Sequence, residues 1–308
     1  MTRALRHGAE YLVFSCFSYL ARRLPPRWAR RGGAFVGWLL GGALGVRRGA
    51  MVERLERAFP ERSSSWCERT ARESWRRLGR EAAEFLHLSG RTSDEIGRRT
   101  RVDGLESVRD ALAGGKGVLL VTAHLGNWEV GGAALVAWGV PLSVVARRVA
   151  NPWVDRAIRR ARGAMGIALL QAGEAHGAIR ALAEGRMVAL LADQDAGPGG
   201  VFVPFFGRDA STVAGPAVLA LRTGAPLFLA VVVGDETSEI RHRVVIRPVP
   251  TPRTGDRGAD VRRITADFTR MVEEAVRRSP EDYFWQHHRW KTRPAGSPPP
   301  EQVPTGQV

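Results

Sequence analysis

Val118–Gly132, VLLVTAHLGNWEVGG, is the stretch on which the reading of this chain turns. Val118, Leu119, Leu120 and Val121 form an unbroken apolar run, as in a buried strand. A polar turn then gathers His124, Gly126, Asn127 and Glu129, and the small residues after it suit the opening of a helix. A histidine at the carboxyl end of a strand is placed to act as a general base. Glu129, five residues on, can turn back to hold one ring nitrogen and leave the other free to take a proton. Gly126 lets the backbone bend or approach a substrate closely, and amides at the start of the next helix face the place where negative charge would develop. The plainer alternative is that a His and a Glu at this spacing meet by chance. Strand, glycine turn and small-residue helix start agree with one another, and that agreement favours chemistry.

Further short apolar runs bounded by turn residues read as strands at 141–146, 167–170, 187–192, 227–233 and 243–247. Helical patterns alternate with them at 154–165, 175–184 and 212–222. Strand alternating with helix implies an α/β fold with a largely parallel, buried sheet, in which ligands sit beyond the carboxyl ends of the strands. His124 stands at one such end. No GxGxxG and no phosphate-loop lysine motif occurs, so nucleotide binding has no support.

The chain has 308 residues, enough for one substantial core with a helical appendage. Its formal charge of +15 calls for an anionic partner, and both nucleic acid and an anionic membrane fit. Cys16 and Cys67 show neither CxxC nor Cys/His metal spacing, so no disulfide framework, metal site or cofactor is expected.

The first fifty residues choose between the two anions. Nine arginines bracket two apolar stretches, 11–21 and 32–46, with Glu10 as the one acid. Neither stretch reaches the roughly 20 apolar residues of a spanning helix, and Pro25 and Pro26 break between them. Interfacial or half-inserted helices are therefore expected, with Tyr11, Phe14, Phe17, Tyr19, Trp28, Phe35 and Trp38 at the headgroup boundary. A signal peptide is the rival reading, but no small-x-small site precedes Arg22. Gly33, Gly37, Gly41 and Gly45 recur every fourth residue, a smooth stripe that permits close helix packing, unless the segment is a glycine-rich turn. Residues 51–100 form a helical lead-in, where Trp75, Leu78, Ala82, Phe85 and Leu86 mark an amphipathic helix. The charges around them, Arg76, Arg77 and Arg80 included, read most simply as a solvated face, with anion binding as the other option. The α/β domain is placed at 51–293, the membrane-associating arm at 1–50, and a disordered Pro-rich tail at 294–308.

Three further stretches bear on the site. Arg147 and Arg148, ahead of Asn151 and Pro152, end the second strand, and the planar fork of Arg147 suits a phosphate or a salt bridge equally. DQDAGPGGVFVPFFG, 193–207, puts Asp193 and Asp195 at another strand end; they could support His124, bind an arginine or hold a loop. The aromatic run after them could wall an apolar channel or pack in the core. DYFWQHHRWKTRP, 282–294, carries Arg289 and Lys291 as anchors for anionic groups or for the domain edge. Its adjacent His287 and His288 point in different directions and so do not suit a shared metal.

Taken together, HLGNWE, the segment MVERLERAFPE, Arg147 before Asn151–Pro152, the DQD–GPGG run and the Trp, His, Arg-Trp-Lys ending resemble, in family order over 51–294, the branch of the glycerolipid acyltransferases that contains the bacterial lipid A late acyltransferases and the phosphatidylinositol mannoside acyltransferases. Arg148 departs from the proline usual there. The resemblance implies a glycerolipid-acyltransferase-like α/β fold and transfer of a fatty acyl group from a thioester of acyl carrier protein or coenzyme A. The acceptor would be a hydroxyl of a membrane glycolipid or phospholipid at the cytoplasmic face of the inner membrane. His124 and Glu129 are the expected catalytic pair, and Gly126, Asn127, Arg147, Asp193, Asp195 and Arg289 the expected substrate-binding residues. A thioester hydrolase could use the same pair, but no GxSxG elbow is present. A basic nucleic-acid-binding protein is the non-enzymatic rival, and the aromatic residues do not interleave with lysine as it would require.

Overall fold

The computed structural model describes residues 3–234, 241–294 and 296; apart from 294 and 296, the tail expected at the C terminus lies outside them. Nine strands are present among the described residues: β1 (Thr100–Asp103), β2 (Val118–Thr122), β3 (Leu142–Ala146), β4 (Ala168–Gln171), β5 (Met187–Leu191), β6 (Val201–Phe205), β7 (Arg208–Thr212), β8 (Leu227–Gly234) and β9 (His242–Pro248). Seven of them form one sheet in the order β1-β9-β8-β2-β5-β3-β4, and β6 with β7 makes a separate hairpin. The strands from β8 to β4 run parallel; β9 is antiparallel to β8 and parallel to β1. All six strands read from the sequence are found, each end within one residue of its expected place.

The apolar run of β2 explains its central place. Leu119 and Val121 belong to one core, and Val118 and Leu120 to the other core on the opposite face of the sheet. Complete burial of a Val or Leu side chain stabilises by about 1.5–3 kcal/mol, so a strand with four such residues is held only where helices cover both faces. The helices of the described residues are α1 (Arg3–Arg23), α2 (Pro26–Trp38), α3 (Arg48–Ala58), α4 (Ser64–Leu88), α5 (Ser93–Gly97), α6 (Leu105–Ala113), α7 (Trp128–Ala137), α8 (Pro152–Ala164), α9 (Ala175–Ala183), α10 (Gly215–Thr223) and α11 (Arg257–Arg278). Besides β1 and α6, two elements go beyond the sequence reading. One is α11, whose Ile264, Phe268, Val272 and Val276 enter the core at helical spacing. The other is the β6–β7 hairpin. Its two-residue turn, Phe206–Gly207, has positive φ at both positions, as the right-handed twist of a tight hairpin demands. Phe205 and Phe206 pack on Tyr283, Trp285, Trp290 and Phe59, so these aromatics are core rather than channel wall.

At the N terminus α1 and α2 dock on α4. A Cβ added to Gly33 would sit 2.3 Å from the carbonyl oxygen of Gly79, and one added to Gly37 would sit 2.0 Å from that of Trp75. A Cβ on Gly41 would meet the Trp75 side chain at 2.2 Å. The glycine stripe is thus the face that lets α2 lie against α4, and its last member, Gly45 (φ +62°), ends the helix instead. The opposite face is apolar and open. Of the eighteen large hydrophobic side chains exposed among the described residues, fourteen lie between Leu5 and Val46. None of the described helices is long and apolar enough to cross a membrane.

Candidate active site

β2 and β5 are neighbours in register, Thr122 beside Leu191. Two residues further along each strand stand His124 and Asp193. The last main-chain rung between the strands runs from Ala192 N to Thr122 O at 3.1 Å. At the next rung a side chain takes the place of a carbonyl: Asp193 Oδ2 accepts the His124 backbone N–H at 2.8 Å, and Oδ1 meets the ring Nδ1 at 2.8 Å. The imidazole is gripped from its own backbone and from its ring, with Nε2 directed away from the grip. Trp128 lies edge-on to the ring at 4.9 Å between centroids, and Phe284 covers it at 5.7 Å.

Burial alone would push the Asp193 carboxyl up. The His124 charge and the two hydrogen bonds from His124 outweigh it and hold Asp193 below the usual carboxylate range. An ionised Asp193 fixes the ring proton on Nδ1 and leaves Nε2 as the acceptor for a substrate proton.

This geometry corrects the expected partner of His124. Glu129 is the second residue of α7, and its side chain points to α8, where both oxygens bind Arg162 at 2.5 and 3.0 Å. The turn that carries the motif is extended by Gly126, so five residues do not bring Glu129 back to the ring. Gly126 adopts φ +60°, and a Cβ there would lie 2.2 Å from the Val232 carbonyl oxygen. The expected oxyanion donors are also partly engaged. Of the amides after Gly126, Trp128 N–H folds back to Gly126 O at 3.1 Å and Val130 N–H donates to Asn127 Oδ1 at 3.2 Å, while Gly126 N–H, ahead of them, donates to Asp282 O at 3.0 Å.

The other expected site residues divide in the same way. Asn127 is buried and caps α7, its Oδ1 accepting Val130 N–H and its Nδ2 donating to Glu81 O. Asp195 accepts Thr292 N–H and Thr292 Oγ1–H, and its own N–H donates to His287 Nε2 at 2.8 Å. Arg289 is turned inward with 2 % exposure, donating to Ser211 O and Thr212 Oγ1, and so holds the domain edge rather than a surface anion. Arg147 lies exposed just past the end of β3. Among the described residues no group of three or more His, Cys, Asp or Glu side chains is placed to hold a metal ion.

A contribution the sequence did not disclose comes from the segment after α11. Tyr283 forms an isolated antiparallel bridge with Leu125, and Phe284 N–H donates to His124 O at 3.0 Å. Arg77 of α4 clamps this segment through Asp282 and Glu281, at 2.7 and 3.0 Å. Two cavities flank the start of α7. One, of about 50 Å³, lies between α7 and the sheet and reaches Trp128, Glu129 and Arg162. The other, of about 240 Å³, is lined by Phe14, Phe17, Phe85, Trp128 and Ile158.

Residues 2–292 match the family described as bacterial lipid A biosynthesis acyltransferase. The chain is 31% identical over 255 residues to the lipid A biosynthesis lauroyltransferase of Escherichia coli (strain K12), covering 82% of each chain. To the lipid A biosynthesis palmitoleoyltransferase of the same strain it is 28% identical over 267 residues, 82% of this chain and 85% of that one. A third relative, the phosphatidylinositol mannoside acyltransferase of Mycolicibacterium smegmatis, is 33% identical over 160 residues, 50% of this chain and 52% of the relative. The chain belongs to the bacterial lipid A biosynthesis acyltransferase family and is an acyltransferase.

Proposed function

We propose that this acyltransferase moves a fatty acyl group from a thioester of acyl carrier protein or coenzyme A to a hydroxyl of a glycolipid of the lipid A precursor type. His124 serves as the general base. The observation that carries this reading is the imidazole at the end of β2, fixed through Nδ1 by Asp193. An alcohol is too weak an acid to attack a thioester unaided. His124 Nε2 removes the hydroxyl proton as the new C–O bond forms, and Asp193 stabilises the imidazolium. The C–S bond then breaks, and the leaving thiolate takes the proton back from the ring. No covalent enzyme intermediate is required. In this scheme Glu129 and Arg162 form a charged pair that both cavities share or adjoin, and so shape the ground on which the chains lie.

The arm supports a membrane setting. Its glycine face is spent on α4 and its large apolar side chains point outward among arginines, which suits the headgroup layer of an anionic, inner-membrane leaflet at its cytoplasmic side. The exposed Arg147 remains a candidate for a headgroup phosphate.

Incubation with acyl thioesters of several lengths, on acyl carrier protein and on coenzyme A, and a total lipid extract, followed by mass spectrometry, tests the reading. The expected result is one acylated glycolipid that is lost in His124→Ala at unchanged thermal stability. Near-normal turnover by His124→Ala rules the role out, and thioester cleavage without any acylated lipid marks a hydrolase instead.

A further inference from the structure

A third cavity, of about 140 Å³, lies where α2, α4, the catalytic loop and the ends of β8 and β9 meet. It adjoins the 240 Å³ apolar cavity, and Glu81 and Asn127 line both. The two differ in chemistry. The apolar one is walled by Phe14, Phe17, Leu78, Phe85 and Ile158, whereas the smaller one is walled by arginines and carboxylates.

The polar wall carries buried donors that the protein does not satisfy. Arg30 Nη1 is buried and has no hydrogen-bond partner among the described residues; its nearest acid is Glu84, at 3.8 Å from Nε. His242, 5% exposed, has Nε2 at 3.2 Å from Glu84 Oε2 and, among the described residues, no partner for Nδ1. Those atoms are closed off behind the wall, so an anionic group in the cavity meets the charge of Arg30 rather than these atoms themselves. Arg80 and Arg241 add positive charge to the same wall. The carboxylates there do not cancel it. Asp282 is bound by Arg77. Glu84 would rise through burial, but its His242 bond and the charges of His242 and Arg30 hold it low, as the partner of both. Burial, reinforced by the charge of Asp282, pushes Glu81 well above the usual carboxylate range, towards its neutral form.

We infer that the acceptor binds as an anionic amphiphile lying across Glu81 and Asn127, with a phosphate-bearing head in the arginine-lined cavity and an acyl chain in the apolar one. Together the two cavities fall within the usual volume of small-molecule sites, about 300–1,000 Å³. The site rests on the acyl-transfer reading above and gives its acceptor a place. Asn127 follows the catalytic histidine by three residues, and Trp128, which lines the apolar cavity, packs on the His124 ring. A hydroxyl between head and chain is thereby brought towards Nε2. The head comes from the arm side, because Arg30 belongs to the same α2 whose outer face is apolar.

The test is equilibrium binding to the full chain in nanodiscs of uncharged lipid, with octyl phosphate, octyl glucoside and inorganic phosphate as probes. Octyl phosphate is expected to bind at least tenfold more tightly than either of the others. Arg30→Gln should bring octyl phosphate to the level of octyl glucoside, and Ala82→Leu, which fills the apolar cavity, should weaken octyl phosphate while leaving inorganic phosphate unchanged. Inorganic phosphate binding as tightly as octyl phosphate would mean a free-anion site and overturn the inference, as would octyl phosphate binding that ignores Arg30→Gln. Should Arg30→Gln not fold, Ala82→Leu decides alone, unchanged octyl phosphate affinity being the adverse result. Acyl transfer by the unaltered chain is followed in parallel, so that an enzyme which transfers yet fails these tests loses the site and keeps its function.

Discussion

The catalytic loop and the N-terminal arm use glycine and apolar side chains in opposite ways. Around His124, glycine makes a turn: Gly126 reaches φ +60° so that the loop lies against Val232, while large side chains such as Leu125 and Trp285 are buried behind it. In the arm, Gly33, Gly37 and Gly41 are among the buried residues and Trp28, Phe35 and Trp38 stand outside. The first region hides its hydrocarbon to fix one ring to within a hydrogen bond. The second shows its hydrocarbon, as a surface that meets a membrane or another protein does. Similar residue types thus mark a rigid site in one place and a contact surface in the other.

That contrast can be broken from either side. The largest effect belongs to the loop: Asp193→Asn should lower kcat by about 10²- to 10⁴-fold, because the ring loses the group that sets its tautomer and stabilises its charge. Glu129→Gln should cost far less than Asp193→Asn, and a ranking in the other order would return Glu129 to the role expected from the motif. In the arm, Gly37→Leu should destabilise by about 1–3 kcal/mol, read by thermal or denaturant unfolding, since its Cβ has the Trp75 carbonyl oxygen 2.0 Å away. No loss of stability would mean that α2 does not lie on α4. Trp28→Ala with Phe35→Ala should leave unfolding unchanged and weaken binding to anionic vesicles by about tenfold, a fraction of the transfer energy of two aromatic side chains. Equal vesicle binding by the double variant would sever the link between exposure and membrane.

The last effect is one of pH. Burial, aided by the charges of Arg289 and His124 and opposed by Asp193, brings His287 down to about 4. Its ordinary value is about 6.5, so between those values the unfolded chain binds the proton more readily than the folded one. Stability therefore falls as pH drops from about 6.5 to about 4. His287→Gln, which keeps an acceptor for the Asp195 N–H, should flatten that part of the stability curve, and an unaltered slope would assign the acid sensitivity to other groups.

The sheet and the position of His124 were legible because they are local. The unbroken run at β2 and those at β3, β4, β5, β8 and β9 carry their period and their turns within a few residues. The partner of His124 was not local. Asp193 lies 69 positions away, and only the pairing of β2 with β5, over two intervening strands, brings it to the ring. Asp193 was singled out as a possible support, yet nothing in the spacing ranked it above Glu129, which is nearer in sequence and turned towards Arg162 in space. The same limit hid the bridge from Tyr283 to Leu125 and the clamp of Arg77 on Asp282. Arg289 misled for another reason: an arginine beside Trp and Lys reads as a surface anchor, and its burial under the β6–β7 hairpin depends on a turn the sequence did not announce.

The most direct measurement is the ring state of His124, followed by 15N-edited NMR on histidine-labelled protein with His124→Ala to assign its signal among the seven histidines. The account predicts a ring whose Nδ1 proton is held by Asp193, a pattern that is lost in Asp193→Asn and kept in Glu129→Gln. A ring that keeps its tautomer without Asp193 and loses it without Glu129 would contradict the account at its centre.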